Sequence, residues 1–366
     1  MNWFCLRIVG LYAGILLAAN VFAAAAENPA SLALEHFRRG ANFGNYLEVP
    51  PEQNWALTYT LDDIKNVKKE GFDHIRLPIG WHHYAGPGPA FKLSPVIFQK
   101  VDFIVTNSLN EGLAVIINIH HFDAFTSDPD ANTAEFLAIW RQIAKHYQQS
   151  GGKLAFELLN EPKDAATTER INPIYALAIS AVRETNPDRT IFVGPGRWNS
   201  LDEVPKLELP ENDQNLIVTV HCYDPFLFTH QGADWTGSAT ETTGIIYPGP
   251  PERPIQPKGE HPNVKWFEGY NHLPTNENPS SKKAFEARME KVARWGKEHH
   301  RPIHLGEFGA YTKADPDSRA RYYKDMRETA EKLGFGWAIW DWKAGFKYWD
   351  GTNPLPGMRA ALFGKE

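Results

Sequence analysis

The sequence is poor in cysteine, in excess charge of either sign and in long apolar runs, and each shortage closes off a class of protein. Two cysteines occur in 366 residues. Cys5 falls in an N-terminal stretch that reads as a removable leader, which leaves Cys222 alone in the mature chain and no internal disulfide. The formal net charge is −6, from 38 Lys and Arg against 44 Asp and Glu, with no basic stripe to override it. A nucleic-acid partner is therefore not expected. No G-x-S-x-G elbow occurs, which sets aside a serine esterase of the hydrolase type. No Ser/Thr/Pro linker, low-complexity tract or repeated unit is present, so a separate appended module is not expected either.

The longest apolar stretch, Ile8 to Phe22, lies at the start. Arg7 precedes it and the small residues Ala23 to Ala26 follow it, ahead of Glu27. That order is the pattern of a secretory signal peptide, assigned to residues 1–26, with an uncleaved anchor as the alternative. Residues 27–366 are then expected to form one domain of an extracellular or periplasmic protein, off the membrane and monomeric. A content of 42% hydrophobic and 22% charged residues suits a globular enzyme. Twelve Trp and thirteen Tyr exceed the needs of a core, although most are expected to pack.

From there the chain alternates between strand and helix signals. Thr60 with Asp63 reads as a capping box, Leu61, Ile64 and Val67 share a helical face, and Gly71 closes the helix. His74 to Pro78 follows as a short strand. Ser94 and Pro95 open a helix that ends at Gly112, and Leu113 to His120 is a nearly unbroken apolar run, as expected of a strand covered on both faces. Further strands are read at Ala41 to Gly44, Leu154 to Leu159, Thr190 to Val193, Leu216 to His221, Ile303 to Leu305 and Phe335 to Trp340. Helices are read around Phe136, Trp140 and Ile143, from Asn172-Pro173, and along two amphipathic stretches that include Met289 and Met326. Eight strands joined mostly by helices predict an α/β fold, a single-domain (β/α)8 TIM barrel. The weakest unit is the fifth, because Gly194 to Asn215 holds little helical pattern.

In such a barrel the chemistry gathers at the carboxyl ends of the strands. Those ends carry Asn42, Arg76, His120, Asn160-Glu161, His221 with Tyr223, Glu307 and Trp340. Glu161 sits in Leu158-Leu159-Asn160-Glu161-Pro162, and Glu307 in Gly306-Glu307-Phe308-Gly309. Two carboxylates facing each other across one opening can flank a glycosidic bond, one protonated to expel the leaving oxygen and one ionised opposite the anomeric carbon.

The ordered set resembles glycoside hydrolase family 5, the cellulase family of clan A. The resemblance runs from Arg39-Gly40-Ala41-Asn42 through Phe72 to Pro78, Asn118-Ile119-His120-His121, Leu159 to Pro162, His221-Cys222-Tyr223 and Gly306 to Gly309, to Trp337-Ala338-Ile339-Trp340. It implies Glu161 as acid/base, Glu307 as nucleophile, retention of anomeric configuration, His120 and His221 as shaping groups, and Trp340 as the floor of the sugar site. Independently of the family, Arg76 is suited to orient Glu307 and lower its pKa, Tyr223 to hold its second oxygen, and Asn160 to bind a sugar 2-hydroxyl. The charge of Glu307 is expected to raise the pKa of Glu161.

Several residues have a plainer reading. Strand alternation sends His120 and His121 to opposite faces, so His121 is expected to be structural. Glu157 is read as a structural carboxylate about 13 Å below Glu161, at about 3.3 Å per residue. Trp198, Trp81 and Trp342 are read either as subsite walls or as packing. The long stretch from Asp224 to Pro279, with Trp235, Trp266 and Tyr270, is read as an insertion walling a groove. Metal sites from His120, His121 and Asp123, or from His299, His300 and His304, do not match ligand spacing, and no cofactor is implied. The expected function is a secreted endo-β-1,4-glucanase acting on cellulose or related β-glucans. Mannan, xyloglucan and mixed-linkage glucan are alternative substrates, and a catalytically inactive polysaccharide-binding barrel is the alternative of another class.

Overall fold

The structure, a computed structural model, describes residues 28–258 and 263–364. The leader assigned to residues 1–26 lies outside the described residues. Eight parallel strands close on themselves in chain order. They are β1 (Arg39–Asn42), β2 (His74–Leu77), β3 (Ala114–Asn118), β4 (Leu154–Glu157), β5 (Ile191–Val193), β6 (Leu216–His221), β7 (Ile303–Phe308) and β8 (Gly336–Ile339). Helices cover the outside, which is why residues along β3 and β6 are buried whichever way they point. Among the described residues no helix is long and apolar enough to cross a membrane.

Local signals fix most boundaries. Thr60 accepts from the Asp63 N–H while the Asp63 carboxylate accepts from the Thr60 N–H, and Gly71 ends that helix at φ 108°. Elsewhere tertiary contacts decide. The helix read as opening at Asn172-Pro173 begins at Thr168, capped by Thr167, with Pro173 inside it. Asn172 instead donates to the Lys206 carbonyl and accepts from the Glu208 N–H, tying this helix to the next loop. β7 runs on to Phe308, so Glu307 sits within a strand, and β1 begins at Arg39, before Ala41. The ladder slips between Leu305 and Phe308 on one side of β7, and opposite Val220 and His221 on the other. After β5 there is no regular long helix, only a turn at Gly196–Asn199 and a 3-10 helix at Leu201–Lys206.

The barrel interior has an apolar floor and a polar roof. The short helix Pro29–Leu34 plugs the amino end, where Ala30, Leu34 and Phe37 pack with Ala114, Ile116, Ala155, Phe192 and Ile217. His74 and His304 meet there with ring nitrogens 3.2 Å apart, and Asp73 takes the other nitrogen of His74 at 2.6 Å. Towards the carboxyl ends, Asn42, Arg76, Asn118 and Glu157 are all fully buried. In the insertion, Trp266 stacks on the buried Tyr270 at 5.1 Å, and the Tyr270 hydroxyl accepts from the Ile246 N–H. Those two rings pack, whereas Trp235 is 58% exposed.

Close packing at the floor leaves no room at Gly336, where a Cβ would lie 2.1 Å from the Phe37 carbonyl oxygen. Gly336→Ala is expected to destabilise the fold by roughly 2–4 kcal/mol, because backbone rather than a side chain must move. Gly152 has nothing within 4 Å of its Cβ position. Gly152→Ala should stay within about 0.5 kcal/mol of the parent in denaturant midpoint, and equal losses in both variants would contradict the packing argument.

Candidate active site

Arg76 organises the roof of the barrel. Its Nε and Nη2 grip Glu157 at 2.6 and 2.7 Å. Its Nη1 donates to Asn42 and to Glu307 Oε1, both at 2.7 Å, and Nη2 also donates to Asn160 Oδ1 at 2.7 Å. All five N–H groups are thereby used. Glu157 is the buried structural carboxylate that alternation suggested, but it is only one guanidinium away from Glu307. The extended spacing assumed between Glu157 and Glu161 does not hold, because β4 ends at Glu157 and Glu161 takes φ 47°.

Glu307 is held at both oxygens, by Arg76 and by the Tyr223 hydroxyl at 2.7 Å. Its pKa is raised, because burial outweighs the lowering effects of His221, Arg76 and the Tyr223 hydrogen bond. Arg76 does lower the pKa of Glu307, as expected, but against a larger desolvation. Glu161 follows β4 with its backbone N–H donated to Asn199 Oδ1 at 3.1 Å, and its Oε1 lies 2.8 Å from His221 Nδ1. Burial pushes its pKa up to about 7, against the pull of His121, Arg76 and Lys163. Burial, and not the neighbouring Glu307 expected from the sequence, is the leading cause.

The two carboxylates share an opening. One oxygen of Glu161, one of Glu307 and a nitrogen of His221 all lie within 4.8 Å of one another. His221 Nδ1 stands between the acids, 2.8 Å from Glu161 and 3.7 Å from Glu307. The Asn199 amide fixes its tautomer. With Oδ1 accepting from Glu161, Nδ2 faces His221 Nε2 at 3.4 Å and donates there, which puts the ring proton on Nδ1. Burial lowers the His221 pKa to about 4, so at neutral pH the ring is a neutral donor between two acids.

Around this centre Asn160 spends its Oδ1 on Arg76 and leaves its buried Nδ2 without a protein partner. His120 is buried, held neutral by desolvation, and parallel to Trp340 at 5.9 Å. Trp340 leans on Gly44, where a Cβ would come within 2.7 Å of the indole. His121 corrects the alternation argument. β3 stops at Asn118 and His121 adopts φ 51°, which swings its ring to the wall of a small cavity shared with Asp123, Thr126, Asn160, Glu161, Lys163 and Trp198. Trp198 is 54% exposed on that wall, in a run of three left-handed residues, Arg197 to Asn199.

Trp81 is corrected as well. It is 0% exposed, packs on Phe98 and donates its indole N–H to the Asn118 carbonyl, so it cannot line a subsite. Trp342 is likewise buried, with its indole N–H on Asp63. The sequence reading missed Asn199, whose role rests on a left-handed turn with no sequence marker, and the anchoring of Arg76 by Asn42 and Glu157. The strand pattern marks Asn42 and Glu157 one at a time, but does not show that both bind Arg76. The sequence reading also missed Glu48 and Asp341, two buried carboxyls pushed up to about 7 by desolvation that accept backbone N–H groups of their own loops.

The trio Glu161, His221 and Glu307 has the compactness of a cation site, but both oxygens of Glu307 already have donors and a guanidinium lies 2.7 Å away. That donor set fits proton transfer better than metal binding. Of the second histidine group considered from the sequence, His304 faces His74 inside the barrel while His299 bonds the Trp295 carbonyl, so the two do not converge. A larger hollow of about 320 Å³ opens at the amino end of the barrel around Asn28, Gly296, Arg301 and Phe335, away from both acids.

Known proteins of one family are similar to this chain in sequence and in fold. Residues 40–345 match the family described as Cellulase (glycosyl hydrolase family 5). The chain is 28% identical to Endoglucanase H of Acetivibrio thermocellus over 82% of its own length and 29% of that protein's. It is 30% identical to Endoglucanase 3 of Fibrobacter succinogenes over 90% of its own length, which spans 53% of that relative. The crystal structure of Thermotoga maritima Cel5A in complex with cellobiose superposes with a TM-score of 0.80 at 32% identity, covering 91% of this chain and 99% of that one. The same enzyme is described in complex with a mannotriose substrate. With the barrel, the paired acids at its carboxyl rim and these relatives together, the chain belongs to glycoside hydrolase family 5.

Proposed function

We propose that this family 5 member is a glycosidase, a retaining endo-β-1,4-glucanase that cleaves cellulose or related β-glucans by double displacement. The observation that carries the reading is that one oxygen of Glu161 comes within 4.8 Å of one oxygen of Glu307. Carboxyl groups about 5–5.5 Å apart leave no room for a water opposite the sugar and so favour a covalent intermediate. Glu307 attacks the anomeric carbon while Glu161 passes its proton to the departing glycosidic oxygen. Water then gives a proton back to Glu161 as its oxygen displaces Glu307 from the anomeric carbon. Arg76 and Tyr223 keep the nucleophile aimed. Asn160 Nδ2 is the free donor for the sugar 2-hydroxyl, His120 and Trp340 form the floor beneath the sugar, and His221 links the two acids.

The choice of glucan follows the endoglucanase names of the relatives, and mannan is the second reading because of the mannotriose complex of the Thermotoga enzyme. A barrel that only binds polysaccharide is disfavoured by the presence of both acids. The N-terminal pattern of residues 1–26 supports export, to be checked by N-terminal sequencing of the protein recovered from culture medium or periplasm. Assays of reducing ends released from carboxymethylcellulose, lichenan, glucomannan, xyloglucan and xylan choose among the substrates. Binding without cleavage on every glycan would favour the binding barrel.

Glu307→Ala and Glu161→Ala should each lose about 10²-fold or more in turnover of an activated aryl glycoside. Azide should restore both, yielding the inverted glycosyl azide with Glu307→Ala and the retained one with Glu161→Ala. Near-parental activity in either variant would remove the mechanism. Because Glu161 must be protonated to act as acid and titrates near pH 7, kcat/KM of the parent enzyme should fall as pH rises through about 7. That basic limb should vanish in Glu161→Ala with an activated leaving group, and its persistence would assign it to another residue. Asn160→Ala should reduce kcat by about 10²-fold while changing KM far less, since the 2-hydroxyl contact tightens in the transition state.

A further inference from the structure

Charged and titratable groups face Glu161 from nearly every element around it, and His121, Arg76 and Lys163 each pull its pKa down against burial. Arg76 of β2 is matched by Glu157 of β4 and Glu307 of β7 at 2.6 and 2.7 Å. His221 of β6 is lowered to about 4 by burial and is a neutral donor at neutral pH, and the pKa of His121, beyond β3, is lowered chiefly by desolvation, with Glu161 and Asp123 pulling the other way. Tyr223 is an uncharged donor to Glu307. The loop after β5 presents Trp198 and Asn199, while its Arg197 points to Glu203 at 3.7 Å.

Lys163 differs from these groups. It lies two residues past Glu161 and lines the same small cavity as Glu161, Asn160, His121 and Trp198. Its ammonium is paired at 3.2 Å with Asp123, and the two side chains are 33% and 73% exposed. Asp123 starts the short helix Asp123–Ser127 just beyond His121, so the pair joins the loop after β3 to the loop after β4 across the cavity. Its compensation is therefore partial: the anion is mostly in water, whereas the acid that both charges act on is recessed.

We propose that the Lys163–Asp123 pair tunes Glu161 through space, Lys163 favouring release of its proton and Asp123 muting that pull. This rests on Glu161 being the acid/base. A nearby cation stabilises the carboxylate, and an anion beside the cation weakens the effect. The influence of Lys163 on Glu161 has this sign and opposes burial. Because Glu161 gives up a proton in the first step and takes one in the second, the pair sets a compromise between them: a stronger cation would ease proton delivery to the leaving oxygen, but would leave fewer molecules protonated as pH rises and make the carboxylate a weaker base towards water. Neither residue needs to touch the carboxyl, so both are positioning groups.

The test is the basic limb of the pH profile of kcat/KM, measured on a cello-oligosaccharide whose leaving group requires the proton, for the parent, Lys163→Met, Asp123→Asn and the double variant. Lys163→Met should move the limb to higher pH, and Asp123→Asn to lower pH, each on the order of half a unit. The double variant should lie with Lys163→Met, because Asp123 acts chiefly by screening Lys163. Limbs that coincide with the parent in both single variants, or that shift in one common direction as a general loosening of the loops would cause, overturn the proposal. If instead the parent cleaves no glycan, the glycanase reading itself fails, and that shows before any variant is made.

Discussion

A guanidinium buried at the centre of the barrel, with each of its five N–H groups donated, is the contact on which the rest of the site depends. Arg76 joins three strand ends directly: Asn42 of β1, Glu157 of β4 and Glu307 of β7, and it reaches Asn160 just past β4. A buried cation is tolerable only where its neighbours are anionic and its donors are all met, and removing one partner of such a pair typically costs about 3–5 kcal/mol. The roof of the barrel is thus at once a structural ion cluster and the underside of the active site. Glu157 supplies the structural half, so that Glu307 can be held by a single Arg76 nitrogen and the Tyr223 hydroxyl.

Desolvation is the second organising influence. It raises Glu161 and Glu307 and lowers His120 and His221, so in each case it favours the uncharged form. The acids are then separated by their hydrogen bonds. Glu307 has strong donors on both oxygens, which favours it as the ionised partner, while Glu161 has the neutral His221 and remains open to the cavity. The chemistry asks for that asymmetry in a retaining site. Residues at the rim, Lys163 and Asp123 among them, act on an equilibrium already balanced by burial.

Backbone geometry does what helical and strand propensity cannot. Glu161 and His121 both take left-handed φ values a few residues past the end of a strand, and Arg197 to Asn199 take three in succession. These turns bring Asn199 to the Glu161 N–H and to His221, and set Trp198 and His121 on the cavity wall. Gly44 and Gly306 serve the same end by absence of a side chain: a Cβ at the first would strike Trp340, and one at the second would lie 2.6 Å from Thr219 Oγ1 and 3.1 Å from His221 Nε2.

The sequence by itself determined the barrel and the paired acids. Eight apolar runs separated by amphipathic stretches admit few other architectures, and polar residues at the ends of those runs are visible one strand at a time because each is a local departure from an apolar pattern. Only the tertiary structure decided which neighbours meet. Trp81 and Trp342 look the same in sequence as Trp198, yet two are sealed in the core and one faces solvent. His121 reaches the cavity, Glu157 lies just under the acids, and the pKa of Glu307 is raised, because strand ends, turns and degree of burial are set by contacts between residues far apart in the chain. Alternation holds only while a strand lasts, and the strength of an ion pair depends on how much water remains around it.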